Sequence, residues 1–360
     1  MKIIIAGGGT GGHLYPGIAL AKGIQERFPG SIVQFVGTQK GIESKIVPNE
    51  GFPLKTIRVE GWVGRSFLNR LKALLKIPQS LIQSFRILRA FDPDLVIGVG
   101  GYASGPLLLS AILTRRKTVI LEQNVIPGLT NHFLGNWVCQ IFGSFEGSRP
   151  YFPASRFCFS GNPVRKEILS LSSRPDREPA TVLVFGGSQG AHAINAAVVD
   201  ALDILRRDGA REIRWIHQTG AADAEWVRAE YRKRNIQAEV EPFIFDMARA
   251  YAESDLTVCR AGATTLAELS AFGMPAILIP YPRAAHRHQE KNALHLKGAG
   301  AAEVINPDQA TGPVLADRIR ELLESKEKRA RMSAAMASLG RRDATEQIID
   351  RCLSLGLIHV

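Results

Sequence analysis

Ile5 to His13 reads IAGGGTGGH, and Val184 to His192 reads VFGGSQGAH. The two segments align without a gap. Each follows an apolar run, Lys2 to Ala6 in one case and Thr181 to Phe185 in the other, and each opens a helix-like stretch. A strand, glycine loop and helix thus occur twice, which predicts two similar domains. Glycine suits such a loop because it lets backbone N–H groups approach a ligand at a helix N-terminus, where partial positive charge favours phosphate. A third loop, GVGGYASGP from Gly98 to Pro106, continues the apolar run that begins at Leu95. In an open parallel sheet the loops at the carboxyl ends of the strands line the ligand crevice, so three glycine loops predict a cleft.

Outward from these loops, short apolar runs alternate with amphipathic stretches, the pattern of a parallel sheet covered by helices. Further strands are predicted at Ile32 to Val36, Leu95 to Val99, Thr118 to Leu121, Ile213 to His217, Leu256 to Cys259 and Ala276 to Ile279. Ser170 to Pro179, rich in Ser, Pro, Arg and Asp, reads as a linker or exposed turn. The domain boundary is placed at about residue 165, and Asp343 to Leu357 reads as a last helix.

The 360 residues are 45% hydrophobic and 22% charged, enough to bury the cores of two domains. No run reaches the roughly 18 uncharged apolar residues of a membrane span, and KIIIAGGG breaks into glycine too early for a signal peptide. The four cysteines show neither CxxC nor Cys/His ligand spacing, so neither a disulfide framework nor a zinc site is expected, and a reducing cytoplasm is the simplest compartment. The net charge of +11 is one-sided: up to Arg165 there are 19 basic and 8 acidic residues, and after it 26 of each. Such asymmetry points to an anionic partner for the first half alone, or to a basic surface kept for solubility.

Gly7, Gly9 and Gly12 match the GxGxxG dinucleotide fingerprint, but that motif wants an acid at the end of the second strand. Here Ile32 to Val36 runs into Gly37, Thr38, Gln39 and Lys40, and His13 is foreign to the pattern, so a nicotinamide site is disfavoured. The stretch from Asp255 to Gln289 is more specific. Small residues at Ala261 to Ala263 would let a diphosphate approach a helix start, with Glu268 about a turn further on. A carboxylate there could accept both ribose hydroxyls of a nucleotide; taken alone, Glu268 reads as a solvent-facing helix residue.

The ordered motifs GGTGGH, GGY.SGP, EQN..PGLTN, GNPVR, GGSQGA, CR.GA.T..E and HQ.KNA, spread from Gly8 to about Ala302, resemble the MurG family. These enzymes transfer N-acetylglucosamine (GlcNAc) from UDP-GlcNAc to undecaprenyl-diphospho-N-acetylmuramoyl pentapeptide (lipid I), giving lipid II for peptidoglycan. The resemblance implies an α/β fold of GT-B architecture, two Rossmann-like parallel-sheet domains facing across a cleft. The first, residues 1–165 with a C-terminal helix at about 343–360 packing back on it, would bind acceptor and membrane; the second, 166–342, would bind UDP-GlcNAc. Carried over by motif, Arg165, Ser188, Gln189 and Ile244 would be donor-site residues, with Ile244 acting through its backbone at the uracil and Ser188 on a phosphate oxygen. Ala263, Thr264, Thr265, Leu266, Ala267 and Glu268 would place a helix start on the diphosphate and a carboxylate on the ribose. Gln289 would bond the sugar hydroxyls, although HRHQ at 286–289 departs from relatives with Gln at His288 and leaves open which position touches the sugar. Thr10, Gly11, Gly12, His13, Tyr102, Ser104 and Asn124 would lie in the acceptor loops and adjoining cleft.

An α-linked sugar nucleotide becoming a β-linked disaccharide implies inversion by one in-line displacement, which needs a base for the acceptor 4-hydroxyl. His13 is the first candidate, since imidazole titrates near neutrality, and Glu122 the alternative. A metal for the leaving UDP would be announced by a DxD-type pair at a strand's carboxyl end, but Asp92 and Asp94 precede their strand. No obligatory metal or other cofactor, Mg²⁺ included, is therefore expected. Trp62 to Arg89 holds six basic residues and no acid among many apolar ones, suited to an anionic bilayer interface. No nucleic-acid motif accompanies the charge, so nucleic acid is not expected as a partner. A peripheral protein on the cytoplasmic face of the bacterial inner membrane follows from the resemblance, with room for partners among cell-wall assembly proteins. Another GT-B enzyme using UDP-GlcNAc, such as a 2-epimerase or a transferase to a different lipid, and a non-catalytic UDP-sugar-binding scaffold are the alternatives.

Overall fold

The computed structural model describes residues 1–39, 41–59, 67–171, 178–207, 212–284 and 287–359, with backbone alone for 67–77 and 207. The chain divides into two compact units, Met1–Arg165 with Arg341–Val360, and Lys166–Gly340.

The first unit runs β1 (Lys2–Ala6), α1 (Gly11–Arg27), β2 (Ile32–Gly37), α2 (Glu43–Asn49), β3 (Leu54–Thr56), α3 (Phe67–Phe91), β4 (Leu95–Gly98), α4 (Ser104–Leu113), β5 (Thr118–Glu122), α5 (Leu129–Leu134), β6 (Gln140–Gly143) and β7 (Phe157–Phe159). Its seven strands lie in the order β3-β2-β1-β4-β5-β6-β7, all parallel. The run Ile3, Ile4, Ile5 is fully buried because a central parallel strand is covered on both faces. Ile3 and Ile5 join Leu14, Ile18 and Ile24 of α1 on one face, while Ile4 and Ala6 join Leu88, Leu107 and Leu108 of α3 and α4 on the other.

The second unit repeats the plan with α6 (Lys166–Leu169), β8 (Ala180–Phe185), α7 (His192–Arg207), β9 (Ile213–Gln218), α8 (Ala224–Lys233), β10 (Ala238–Glu241), α9 (Met247–Glu253), β11 (Leu256–Cys259), α10 (Ala263–Phe272), β12 (Ala276–Leu278), α11 (His288–Gly298), β13 (Ala302–Val304), α12 (Gly312–Glu324) and α13 (Lys326–Ser338). Its six parallel strands are ordered β10-β9-β8-β11-β12-β13. The last helix, α14 (Ala344–Ser354), belongs to the first unit. There Ile348, Ile349 and Cys352 complete the α1 face of the core, Arg27 pairs with Asp350 at 2.5 Å, and Lys117 Nζ donates to Gly356 O.

In both sheets the strand order reverses beside the first strand of the unit, between β1 and β4 and between β8 and β11. These are the topological switch points at which open α/β sheets bind ligands. The glycine loops at Gly7 and Gly186 leave the sheet at those two points. Among the described residues no helix is long and apolar enough to cross a membrane.

Candidate active site

In the first unit the loops after β1, β4 and β5 bring together most of the sequence-predicted acceptor residues. Thr10 precedes α1, Gly11 and Gly12 begin it, and His13 follows one residue on. Glu43 fixes this start from beneath. Its carboxylate is fully buried, with Oε2 accepting from Gly9 N–H at 2.8 Å and Oε1 from the N–H and hydroxyl of Thr38, both at 2.7 Å. Gly8 has to be glycine: its φ is +138°, and a Cβ there would lie 2.4 Å from Glu43 Cδ. His13 Nδ1 lies 3.1 Å from Gln123 Oε1.

Glu122, the alternative base, is 1% exposed. Oε1 accepts from Asn124 N–H at 2.9 Å, and Oε2 accepts from Asn131 Nδ2 at 2.9 Å and Gly128 N–H at 3.2 Å. Burial holds its carboxyl above the usual range, outweighing those hydrogen bonds, which act the other way. Both oxygens are engaged by the loop from Asn124 to Asn131, so the carboxylate organises that loop. Asn124, bonded to it through its backbone, is placed by the same contact. Tyr102 is half exposed, whereas Ser104 is fully buried at the start of α4. A Cβ on Gly98 would lie 2.7 Å from Ser104 Oγ, so Ser104 packs the glycine loop and does not present its hydroxyl to an acceptor. Arg165 lies in the same unit, its guanidinium 4.7 Å from the ring centroid of Tyr15 on α1.

The pair Asp92 and Asp94 sits at the amino end of the sheet. Asp94 Oδ2 accepts from Lys2 N–H at 2.7 Å, and Asp92 pairs with Arg116 at 2.8 Å.

In the second unit the loops after β8, β10, β11 and β12 carry the remaining predicted residues. Ser188 and Gln189 are exposed in the glycine loop, which is pressed against the loop after β9: a Cβ on Gly190 would fall 1.8 Å from Thr219 O. Gln218 ties two of these loops, its Nε2 donating to Gly187 O at 2.8 Å and its Oε1 accepting from Ile244 N–H at 3.0 Å. The N–H of Ile244 is therefore engaged, and its carbonyl is the backbone group that could accept from a uracil N3–H.

Gly262 precedes α10, whose first residues are Ala263, Thr264 and Thr265. Leu266 N–H already donates to Gly262 O at 3.0 Å and its side chain is buried, so the amides that could face an anion lie earlier in the turn. Ala267 follows, partly exposed. Glu268 does not face water: it is 5% exposed, and its Oε2 accepts from the Tyr251 hydroxyl at 3.1 Å. Arg260 spans the ends of β11 and β12, its Nη1 donating to Ile279 O at 3.0 Å and Pro280 O at 2.9 Å. Gln289 Oε1 accepts from Tyr281 N–H at 2.9 Å, which leaves Nε2 as the group that side chain could offer a sugar hydroxyl.

Residues 3–142 match the family model for the glycosyltransferase family 28 N-terminal domain, and residues 181–348 match that for its C-terminal domain. The UDP-N-acetylglucosamine--N-acetylmuramyl-(pentapeptide) pyrophosphoryl-undecaprenol N-acetylglucosamine transferase of Myxococcus xanthus is 48% identical over 357 residues, 99% of this chain and 93% of that protein. The protein of the same name from Syntrophus aciditrophicus is 48% identical over 360 residues, 99% of each chain. The crystal structure of Acinetobacter baumannii MurG superposes with a TM-score of 0.77 at 29% identity, covering 98% of this chain and 99% of that one. The chain belongs to the MurG family.

In the frame of this family's two parallel-sheet domains, the residues to which motif reading gave no role are those beneath the loops. Glu43, Gln123, Gln218 and Tyr251 are all nearly or fully buried, and each bonds a loop or a side chain that the motifs had named. The sequence carries a weak signal for three of them, since a polar group directly after an apolar strand run (Gln123, Gln218) or a tyrosine between alanines (Tyr251 in MARAYAE) needs a partner once buried. Glu43 gives no such signal, because ESKIVPN reads as an ordinary polar helix start.

Proposed function

We infer that this chain is an inverting hexosyltransferase that moves GlcNAc from UDP-GlcNAc to the 4-hydroxyl of the N-acetylmuramoyl residue of lipid I, giving lipid II and UDP for peptidoglycan synthesis. Near full-length identity of 48% to transferases of that name carries the reading.

The division of labour follows from which unit holds which groups. The second unit binds the donor. The first turn of α10 faces the diphosphate with its backbone amides, Glu268 accepts from the ribose hydroxyls, Ile244 O accepts from the uracil, and Ser188 reaches a phosphate oxygen. Gln289 Nε2 donates to the sugar. Preorganised donors at the diphosphate stabilise the charge that develops as UDP leaves, and this reading gives no obligatory role to a metal. The first unit binds the acceptor through its glycine loops, Tyr102 and Asn124, and His13 takes the proton. In the transfer the acceptor oxygen bonds to the anomeric carbon from the face opposite UDP. The anomeric C–O bond breaks with its electron pair going to the β-phosphate oxygen, and the hydroxyl proton goes to the imidazole.

A lipid-linked acceptor places the enzyme at a membrane surface, and we assign the contact to α3 and its surroundings. Within Trp62 to Arg89, residues 62–66 lie outside the described residues, and 67–77 are described by backbone alone. The described half buries Ser80, Ser84 and Leu88 and exposes Ile82, Phe85, Arg86 and Arg89. Helix α4, which packs against α3 and α5, exposes Leu113, and beyond it the rings of Phe133 and Trp137 meet at 5.0 Å, tilted by 53°, while both remain exposed. Apolar groups beside basic ones and no acid suit the anionic cytoplasmic leaflet. Flotation with anionic liposomes at low salt, lost at high salt, is expected; protein that stays soluble at low salt rejects the contact. The activity itself is tested by incorporation of labelled GlcNAc from UDP-GlcNAc into a short-chain lipid I analogue. Absence of transfer by protein that binds UDP-GlcNAc would reject it.

A further inference from the structure

Gln123 stands behind His13 with an amide that can face only one way. Its Nε2 lies 3.2 Å from both Val99 O and Leu121 O, and the residue is 1% exposed. Carbonyl oxygens only accept, so the amide atom that faces two of them must be the NH₂ group, one N–H to each. That turns the amide oxygen toward His13, 3.1 Å from Nδ1. An oxygen that can only accept requires a proton on the nitrogen it meets. Neutral His13 therefore carries its proton on Nδ1 and its lone pair on Nε2.

A second contact holds the ring in that pose. Gly100, with φ +86°, lies against the same edge of the imidazole, and a Cβ there would come 2.8 Å from Nδ1. The ring is carried by α1 but fixed by the loops that follow β4 and β5. Three strand ends thus agree on one orientation and one tautomer.

We propose that Gln123 is a positioning residue that locks His13 in the Nδ1–H tautomer, so that Nε2 is the atom that takes the acceptor's proton. The proposal rests on His13 being the base. On transfer the hydroxyl proton moves to Nε2, and the imidazolium keeps its Nδ1–H bonded to Gln123 O, so no second proton has to move. A neutral amide sets the tautomer without the rise in ring basicity that a carboxylate partner would bring.

The test is long-range ¹H–¹⁵N spectroscopy of ¹⁵N-histidine-labelled protein at a pH where the ring is neutral, with the His13 signals identified by their loss in His13→Ala. The wild-type ring is expected to show a protonated Nδ1 and a bare Nε2. Gln123→Leu should move it toward the Nε2–H form and lower kcat about 10-fold or more, within the ~10²–10⁴ that general base catalysis supplies, while UDP-GlcNAc affinity stays constant. Gln123→Glu, whose carboxyl must keep its proton to face Val99 O and Leu121 O, still turns an accepting oxygen toward Nδ1 and should keep the tautomer, with the acid limb of the kcat/KM profile unmoved. An Nε2–H ring in the wild type overturns the proposal, as does a Gln123→Leu variant with unchanged tautomer and unchanged pH profile. Should Gln123→Leu fail to fold, the wild-type spectrum and the Gln123→Glu spectrum decide, an Nε2–H ring in either overturning the proposal. Full turnover by His13→Ala overturns the catalytic use of the tautomer but leaves the spectrum standing, so the two failures are read apart.

Discussion

The Tyr251 hydroxyl donates to Glu268 Oε2 across 3.1 Å, between α9 and α10, with Glu268 almost wholly removed from solvent. A carboxylate on a free helix face would sample several rotamers, whereas this one is held by the tyrosine's bond. Removing Tyr251's hydroxyl should therefore loosen the ribose contact without touching the chemistry. Tyr251→Phe is expected to weaken UDP-GlcNAc binding by roughly 2- to 10-fold, the worth of a net hydrogen bond of about 0.5–1.5 kcal/mol, with kcat at saturating donor within about twofold. Calorimetric titration with UDP-GlcNAc checks it; unchanged affinity would mean that Glu268 does not reach the donor.

Glu43 offers a sharper substitution, because among the described residues its carboxylate meets three donors and no acceptor. Glutamine has nearly the same shape but must turn its NH₂ toward Gly9 N–H or toward Thr38, donor against donor. Glu43→Gln is expected to cost about 1–3 kcal/mol of stability, the penalty of a buried unsatisfied group, and to raise the acceptor KM. Donor affinity should not change, since Glu43 belongs to the first unit. Thermal unfolding and the two KM values measure this; an equal rise in both would place Glu43's influence elsewhere.

Much of this was legible in the sequence. The eight predicted strands form within a residue of their expected ends, because a parallel strand buried on both faces is a continuous apolar run bounded by glycine or charge. Five others were not predicted: β3, β6, β7, β10 and β13 are three or four residues long; β3, β7, β10 and β13 form the sheet edges and β6 lies next to one. Runs that short, such as LKT or AEV, carry no readable period. The glycine loops announced the site, since positive φ and close approach restrict residue choice directly. What supports the loops was hidden: Ser104 looked like a ligand group and is buried, while Glu268 read in isolation as exposed and is buried. Burial of a polar side chain depends on which distant carbonyl or hydroxyl meets it, and spacing along the chain does not encode that.

His217 gives the second unit an acid limit. It is fully buried, with Nε2 3.1 Å from Asn195 Oδ1 and Nδ1 3.2 Å from the Tyr231 hydroxyl, and burial lowers its pKa from 6.5 to about 3. Between those values the unfolded chain binds a proton that the folded chain refuses, so stability falls as pH falls. The slope from this group should approach ~1.4 kcal/mol per pH unit in that window and flatten above it. Urea unfolding from pH 7 to 4 reads it out; His217→Gln, which cannot ionise, should lose that component, and an identical slope in the variant would assign the acid lability to other groups.

The absence of a metal requirement is a separate expectation. Asp92 and Asp94 are committed to Arg116 and to Lys2 N–H at the amino end of the first unit's sheet, the end opposite that sheet's glycine loops. Turnover in excess EDTA is expected to stay within a few-fold of that in magnesium. Complete loss in EDTA, restored by magnesium, would show that a cation, and not the start of α10, stabilises the leaving diphosphate.

The central claim is that one unit holds the donor and the other supplies the base. It is tested most directly by measuring, in parallel, GlcNAc transfer to a short-chain lipid I analogue and UDP-GlcNAc affinity for wild type, His13→Ala and Glu268→Ala. Wild type should transfer; Glu268→Ala should lose about 10-fold or more in donor affinity; His13→Ala should bind the donor normally and lose on the order of 10²-fold or more in kcat. Donor binding lost in His13→Ala, or turnover retained in it, would contradict the division of roles.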